Sequence, residues 1–403
     1  MNLLVFNCGS SSLNYKVFSG DSNSTAQITA KGKAHRVGVK GSDPSFIEHH
    51  LSNQTVKETQ PLETHAQAAE RVLQNLRDHQ IPIDAVGHRF VHGGAYFKES
   101  ALLTEDTLAR LTECLPLAPI HNPNSMSVIY TCLEHQPGCP QYVTFDTAFH
   151  AALPPEAYTY AVPQSIRDTH TYRRFGFHGL SYHFVTQAAG PFLETPFSES
   201  KIIACHLGTG GSSAVALKNG VPLDTSMGFT PLPGLIMSTR TGDLDAQIPI
   251  QLLKEGKSPK EIETLLNKKS GLLGISQFSS DLRDILARVE QDPNAHLAFE
   301  MAVHRLVKYI GAYAVLLGGL DALIFTDDIG LWSWQLRESV CQGLTWCGIA
   351  IDPTANREAP YDRITPIEAP DSRARVLVIP TDEEWVIGQE GFALLQEGRH
   401  AYH

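Results

Sequence analysis

The side chains able to do chemistry stand directly behind short apolar runs: Asn7 after LLVF, Arg89 in GHRFVHGG, Asp146 after YVTF, His206 after KIIAC and Glu383–Glu384 after RVLVIPTD. His121, His178, Arg240, Asp281 and Arg283 lie in the segments between. Residues placed just past strands are where open α/β sheets bind ligands. A guanidinium such as Arg89 or Arg240 is the planar partner of a carboxylate or phosphate, and equally of a surface salt bridge. Asp146 can bind Mg2+, orient a group or cap the next turn. His178, inside RRFGFHGLSYH, suits a hydrogen-bonded core position or a donor to a transferring phosphoryl group. Glu383 and Glu384 have the ordinary explanation of acidic preference at a helix start. Asn7 is neutral, so near a metal it would act directly or through water.

What must position these groups is a repeated unit. Residues 3–20 read LLVFNCGSSSLNYKVFSG and residues 201–220 read KIIACHLGTGGSSAVALKNG. Each is an apolar strand, a Gly/Ser-rich turn and a second strand. Glycine lets backbone N–H groups approach an anion, and serine adds hydroxyl donors. Two such loops facing each other from related domains would clamp a polyphosphate.

The chain has 403 residues, a size for two domains, and a net charge of −11. No dense basic block marks a nucleic-acid surface, and no apolar run approaches a membrane span. Seven scattered cysteines (8, 114, 132, 139, 205, 341 and 347) form no CxxC pair. They argue against a disulfide framework or zinc site and for a reducing cytoplasm. Cys8 and Cys205 read as buried packing residues.

After the first hairpin, the residues to about 64 read as a polar, variable stretch. A helix is predicted from His65 to about Gln80, strands at Val86–Val91, Tyr142–Phe145, Ala322–Phe325 and Arg375–Ile379, and a helix over Ala298–Ile310. Residues 224–244 read as a long ordered loop, usually a functional feature. A boundary is expected within 150–180, and strands alternating with helices indicate α/β. There is no GxxxxGK[ST], no protein-kinase signature and no serine-hydrolase elbow. Two phosphate loops, two arginines, an Asp, a Glu and a His suit phosphoryl transfer, where catalysis is mostly positioning and charge neutralisation.

These motifs resemble the acetate kinase family along almost the whole chain: NCGSSSL at 7–13, GHRFVHGG at 87–94, LAPIHNP at 117–123, FDTAFH at 145–150, FGFHGLSYH at 175–183, HLGTGG at 206–211, DTSMGFTPLPGL at 224–235, TRTGD at 239–243, NKKSGLLG at 267–274 and PTDEE at 380–384. The resemblance implies the actin-like fold of acetate and sugar kinases: two duplicated ribonuclease-H-like domains with a central cleft, here 1–150 plus 384–403 and 151–383. It implies in-line, Mg2+-dependent transfer, with Mn2+ as substitute, in a cytoplasmic homodimer. By matching position, Arg89 resembles the acetate and phosphoryl arginine, Arg240 the arginine on the transferring group, Asp146 the catalytic carboxylate and His178 the transition-state donor. Asn7 and Glu383 resemble the magnesium pair. Val91, Ile120, Phe177 and Pro231, with His121, match the pocket around the acetate methyl. Ser10, Ser12, Asn14, His206, Gly208, Thr209, Gly210, Asp281, Arg283 and Gly330 match the donor side.

The departures fall on that donor side. Members that use ATP carry Lys where this chain has Asn14, HLGNG where it has HLGTGG, Gly where it has Ser238, and FTAGIGENS where it has FTDDIGLWS. Asp327 and Asp328 thus stand for Ala and Gly, and Leu331 and Trp332 for Glu and Asn. Overfilling a fitted site costs roughly 1–3 kcal/mol, so side chains at Ser238 and Asp328 would crowd an adenosine. The altered motifs look like the pyrophosphate-type branch, in which acetyl phosphate and phosphate give acetate and pyrophosphate. The alternative is an ATP/ADP-dependent acetate or propionate kinase with a rearranged pocket. A catalytically silent binding protein would have lost Arg89, Asp146, His178, Arg240 or Glu383, and all are present. Two adjacent aspartates beside a polyphosphate would have to point away, pair with a base or meet Mg2+.

Overall fold

The computed structural model describes residues 1–20, 26–39, 41, 43–51 and 54–400, with side chains to 396. The chain forms two compact units, Met1–Ala151 with Asp382–His403, and Ala152–Thr381. In the first, β1 (Asn2–Cys8), β2 (Ser12–Ser19), β3 (Gln27–His35), β4 (Phe46–Leu51), β5 (Gln54–Thr59), β6 (Ala85–Phe90), β7 (Ala101–Leu102) and β8 (Gln141–Phe145) make one sheet in the order β5-β4-β3-β2-β1-β6-β8-β7. In the second, β9 (Lys201–Gly208), β10 (Gly211–Lys218), β11 (Val221–Thr225), β12 (Ala322–Thr326), β13 (Thr365–Pro366) and β14 (Arg375–Val378) are ordered β11-β10-β9-β12-β14-β13.

The repeat seen in the sequence is therefore a repeat of topology. An antiparallel hairpin, β1–β2 or β9–β10, extends into two parallel strands, β6 and β8 or β12 and β14. Strands flanked on both faces read as continuous apolar runs, and β1, β8, β9 and β12 are buried along nearly their whole length. Helices carry the crossovers. Thr64 caps His65–Asp78 by accepting from the Gln67 N–H, and Ala68, Ala69, Val72, Leu73 and Leu76 form its buried stripe. Asp292 and Pro293 start the 25-residue helix Pro293–Leu317, longer at both ends than its apolar stripe indicated. From the end of β11 to Gln247 there is no strand or helix, in keeping with an ordered loop.

The stretch before residue 64 is the main correction. It holds three strands, β3–β5, not a variable polar segment. Their outward faces carry Lys, His, Glu and Thr, only Ala30 and Ala34 of β3 are buried, and no residue of the edge strand β5 is. Successive antiparallel pairing, β3 to β2, β4 to β3 and β5 to β4, rather than a strong alternation of their own, makes them strands. All seven cysteines are free, and burial pushes the Cys8 thiol up to about 12.

The last helix, Glu383–His400, is anchored by a buried tyrosine. The Tyr142 hydroxyl donates to the Ile387 carbonyl at 2.7 Å. A Cβ on Gly391, or on Gly87 in β6, would lie 2.2 Å from that hydroxyl. Gly391→Ala is expected to lower stability by roughly 1–3 kcal/mol in urea unfolding. Gly311→Ala, in a helix interior where nothing lies within 4 Å, should raise it by about 0.5–1 kcal/mol. Equal effects at the two positions would contradict this packing.

Candidate functional site

In the first unit the carboxyl ends of three adjacent parallel strands, β1, β6 and β8, bring Asn7, Arg89 and Asp146 together. Arg89, on the middle strand, donates from Nε to Asp146 Oδ1 at 2.9 Å, from Nη2 to Oδ2 at 2.6 Å, and from Nη1 to Asn7 Oδ1 at 3.1 Å. Its Nη1 is also 3.5 Å from Glu383 Oε2. Burial alone would depress the Arg89 pKa, but the charges of Asp146 and Glu383 more than reverse it. The Asn7 amide donates to Glu383 Oε2 at 2.9 Å and Glu384 Oε1 at 2.8 Å. Asn14 donates to the same Glu384 oxygen at 3.2 Å. Val91 is buried, His121 half-buried, Ile120 is 52 % exposed, Ser10 sits in the β1–β2 turn and Ser12 opens β2.

In the second unit, His178 and His206 stack with centroids 4.0 Å apart. His178 precedes the helix Gly179–Ala189 in a left-handed conformation, φ +59°, uncommon for a residue with a side chain. Its Nδ1 is hydrogen-bonded to Ser213 Oγ at 2.8 Å, and Tyr182 holds that hydroxyl from the other side. Its Nε2 and Arg240 Nη1 lie 3.5 and 3.0 Å from one point, the position a Cβ on Gly211 would take. Two donors thus converge over a residue without a side chain. Arg240 has no carboxylate partner among the described residues. Its hydrogen-bond contact is the Met237 sulfur at 3.8 Å, and burial lowers its pKa. Phe177 is buried and Pro231 half-buried.

The register of β9 with β12 pairs His206 with Thr326 and so sets Asp327 beside His206. Asp327 Oδ2 is 3.1 Å from His206 Nε2 and lies over Gly208, 2.0 Å from where a Cβ would be. Asp327 is also left-handed, φ +64°. Asp328 Oδ1 accepts from the Thr209 N–H at 2.9 Å, and Oδ2 from the Thr209 hydroxyl at 2.8 Å. The two aspartates therefore pair with a base and with the Thr209–Gly210 turn. Ser238 lines a cavity of about 30 Å³ with Leu207, Leu282, Ile329 and Leu336, and its buried hydroxyl finds no protein partner. Asp281 caps the helix Leu282–Leu286 and holds Arg283, which lies 5.9 Å from the centre of the Trp332 ring.

Two residues that shape these sites escaped the sequence reading. Lys16 donates to Asp382 at 2.6 Å and sits 3.6 Å from Glu384. Arg337, 1 % exposed, donates to the carbonyls of Gly330, Leu331 and Asn356 and to Asn356 Oδ1. It fixes the end of the helix Asp327–Trp332, and the Gly330 carbonyl is thereby engaged inside the protein. Burial lowers its pKa to about 10. Neither side chain follows an apolar strand end, so position in sequence carried no signal.

A family model described as the Acetokinase family matches residues 2–389. The chain is 44 % identical over 399 residues to an acetate kinase of Dictyoglomus thermophilum, covering 97 % of this chain and 98 % of that one. It resembles the crystal structure of acetate kinase from Entamoeba histolytica at 46 % identity and TM-score 0.89, covering 98 % of this chain and all of that one. A propionate kinase from Francisella tularensis matches at 34 % identity and TM-score 0.86, covering 96 % and 98 %. Both similarities carry the actin-like α/β fold. No described helix is long and apolar enough to cross a membrane.

Asp146 is 1 % exposed, and Arg89 is its cation. Arg89→Ala should cost about 3–5 kcal/mol of stability, because it leaves a buried carboxylate uncompensated. Adding Asp146→Asn should return part of that loss in urea unfolding. A double variant no more stable than Arg89→Ala would contradict the pairing.

Proposed function

The chain belongs to the acetokinase family, phosphotransferases with a carboxyl group as acceptor, and on that premise we propose that it interconverts acetyl phosphate plus phosphate with acetate plus pyrophosphate. In the forward step the bond from phosphorus to the acyl oxygen breaks, a bond from phosphorus to a phosphate oxygen forms, and acetate leaves. The observation that carries the reading is Arg240: a desolvated guanidinium without a carboxylate, converging with His178 Nε2 over Gly211. Such a pair neutralises the equatorial oxygens of a transferring phosphoryl group. Arg89, oriented by Asp146, binds the carboxylate of acetate. The acceptor on this reading is acetate, with propionate as the next larger substrate.

Asn7 and Glu383 fit Mg2+ by the chemistry of their donors. Both supply hard oxygens, the Glu383 carboxylate and Asn7 Oδ1, the latter here accepting from Arg89 Nη1 while the amide N–H donates to Glu383 and Glu384, and Mg2+ is commonly held by one or two carboxylates plus water and phosphate. No group of three or more His, Cys, Asp or Glu able to hold a metal occurs among the described residues, so phosphate oxygens would have to complete the shell. When bound, Mg2+ would supply charge neutralisation for the phosphates.

Donor choice is argued from the second unit. Asp328 holds the Thr209 N–H and hydroxyl, Asp327 covers Gly208, and the space beside Ser238 is about 30 Å³. Protein carboxylates thus already occupy this loop, which supports phosphate over an adenosine phosphate. The free thiols suit a reducing compartment, and we take the enzyme to be cytoplasmic and homodimeric.

With acetyl phosphate, Mg2+ and either phosphate or ADP, the expected products are pyrophosphate in the first mixture and no ATP in the second. ATP without pyrophosphate would reverse the assignment and leave an ATP-dependent acetate kinase.

A further inference from the structure

Three carboxylates in a row, Asp382, Glu383 and Glu384, open the last helix, yet they are not equivalent. Asp382 caps it, accepting the Trp385 N–H on Oδ1 at 2.9 Å, and its Oδ2 takes the Lys16 ammonium at 2.6 Å. Glu384 accepts from Asn7 and Asn14 on Oε1, and its Oε2 lies 3.6 Å from the same ammonium. Glu383 accepts from Asn7 and lies 3.5 Å from Arg89. Lys16 reaches this turn because Ser12, Asn14 and Lys16 share one face of β2, while Leu13, Tyr15 and Val17 fill the core behind it. Its side chain is 17 % exposed, so the charge is poorly screened by solvent.

Counting charges makes the arrangement informative. Four carboxylates, Asp146, Asp382, Glu383 and Glu384, stand within ion-pair reach of the two cations Arg89 and Lys16. Without Lys16, the Asp382 and Glu384 carboxylates would lose the ammonium that now engages them and could turn towards a divalent cation. We propose that Lys16 is a positioning residue that keeps Asp382 and Glu384 out of the cation's ligand set, so that the metal is presented by Asn7 and Glu383 with its remaining positions open to phosphate. This rests on the assignment of Asn7 and Glu383 to Mg2+ made above.

The test is direct titration of the full chain with Mn2+ alone, following free Mn2+ by electron paramagnetic resonance, in wild type, Lys16→Gln, Lys16→Arg and Glu383→Gln. Lys16→Gln is expected to bind Mn2+ at least about tenfold more tightly, from removal of a nearby unit charge, while its kcat falls about tenfold. Lys16→Arg should restore both values towards wild type. Mn2+ binding by Lys16→Gln that is unchanged or weaker would overturn the proposal, and urea unfolding of that variant separates loss of fold from loss of position. Glu383→Gln judges the metal assignment independently: if it leaves Mn2+ binding unaltered, that assignment fails, whatever Lys16→Gln shows.

Discussion

A half-buried guanidinium without a carboxylate partner among the described residues is the constraint around which the second unit is arranged. Burying a charge unpaired is expensive, and Arg240 bears that expense while Arg89 does not. Arg89 is neutralised by Asp146 and Glu383 and serves as the hub of its strand ends. Arg240 touches a thioether and the open face of Gly211. On the function proposed, an anionic phosphoryl group supplies the missing charge. It is favoured most in the transition state, where its charge is spread over three oxygens.

The surroundings of Arg240 are held against local preference. His178 and Asp327 both adopt left-handed backbone conformations, which cost side-chain-bearing residues roughly 1–2 kcal/mol. His178 is held by Ser213 and the His206 ring, and Asp327 by His206. Arg337 then ties the end of the helix that carries Asp327 and Asp328 to Asn356. Strain of this kind persists where surrounding contacts over-determine it. The aspartates, which would repel a polyanion if left free, are instead directed onto the imidazole and the loop N–H.

Much of this could be read before the fold was known, because parallel strands deliver their polar residues at their carboxyl ends. Asn7, Arg89, Asp146 and His206 each follow an apolar run, and the sheet order β1-β6-β8 turns the first three of those separate positions into one cluster. What a linear reading could not supply was partnership across distance. Lys16 meets Asp382 over 366 positions of sequence, and Arg337 acts on backbone carbonyls that have no residue-type signature. The direction of Asp327 depended on the pairing of Thr326 with His206. Strands β3–β5 were missed because they extend the sheet one on another from β2 and bury few apolar residues, Ala30, Ala34 and Ile47 among them.

The most direct test of the account is the rate of acetyl phosphate consumption by Arg240→Ala, with its fold checked by circular dichroism. If Arg240 neutralises the transferring group, kcat should fall by about 10²–10³, the usual loss for removing a transition-state donor, while stability holds or rises because an unpaired buried charge is gone. A kcat within threefold of wild type would contradict the account and return the chemistry to the groups around Arg89.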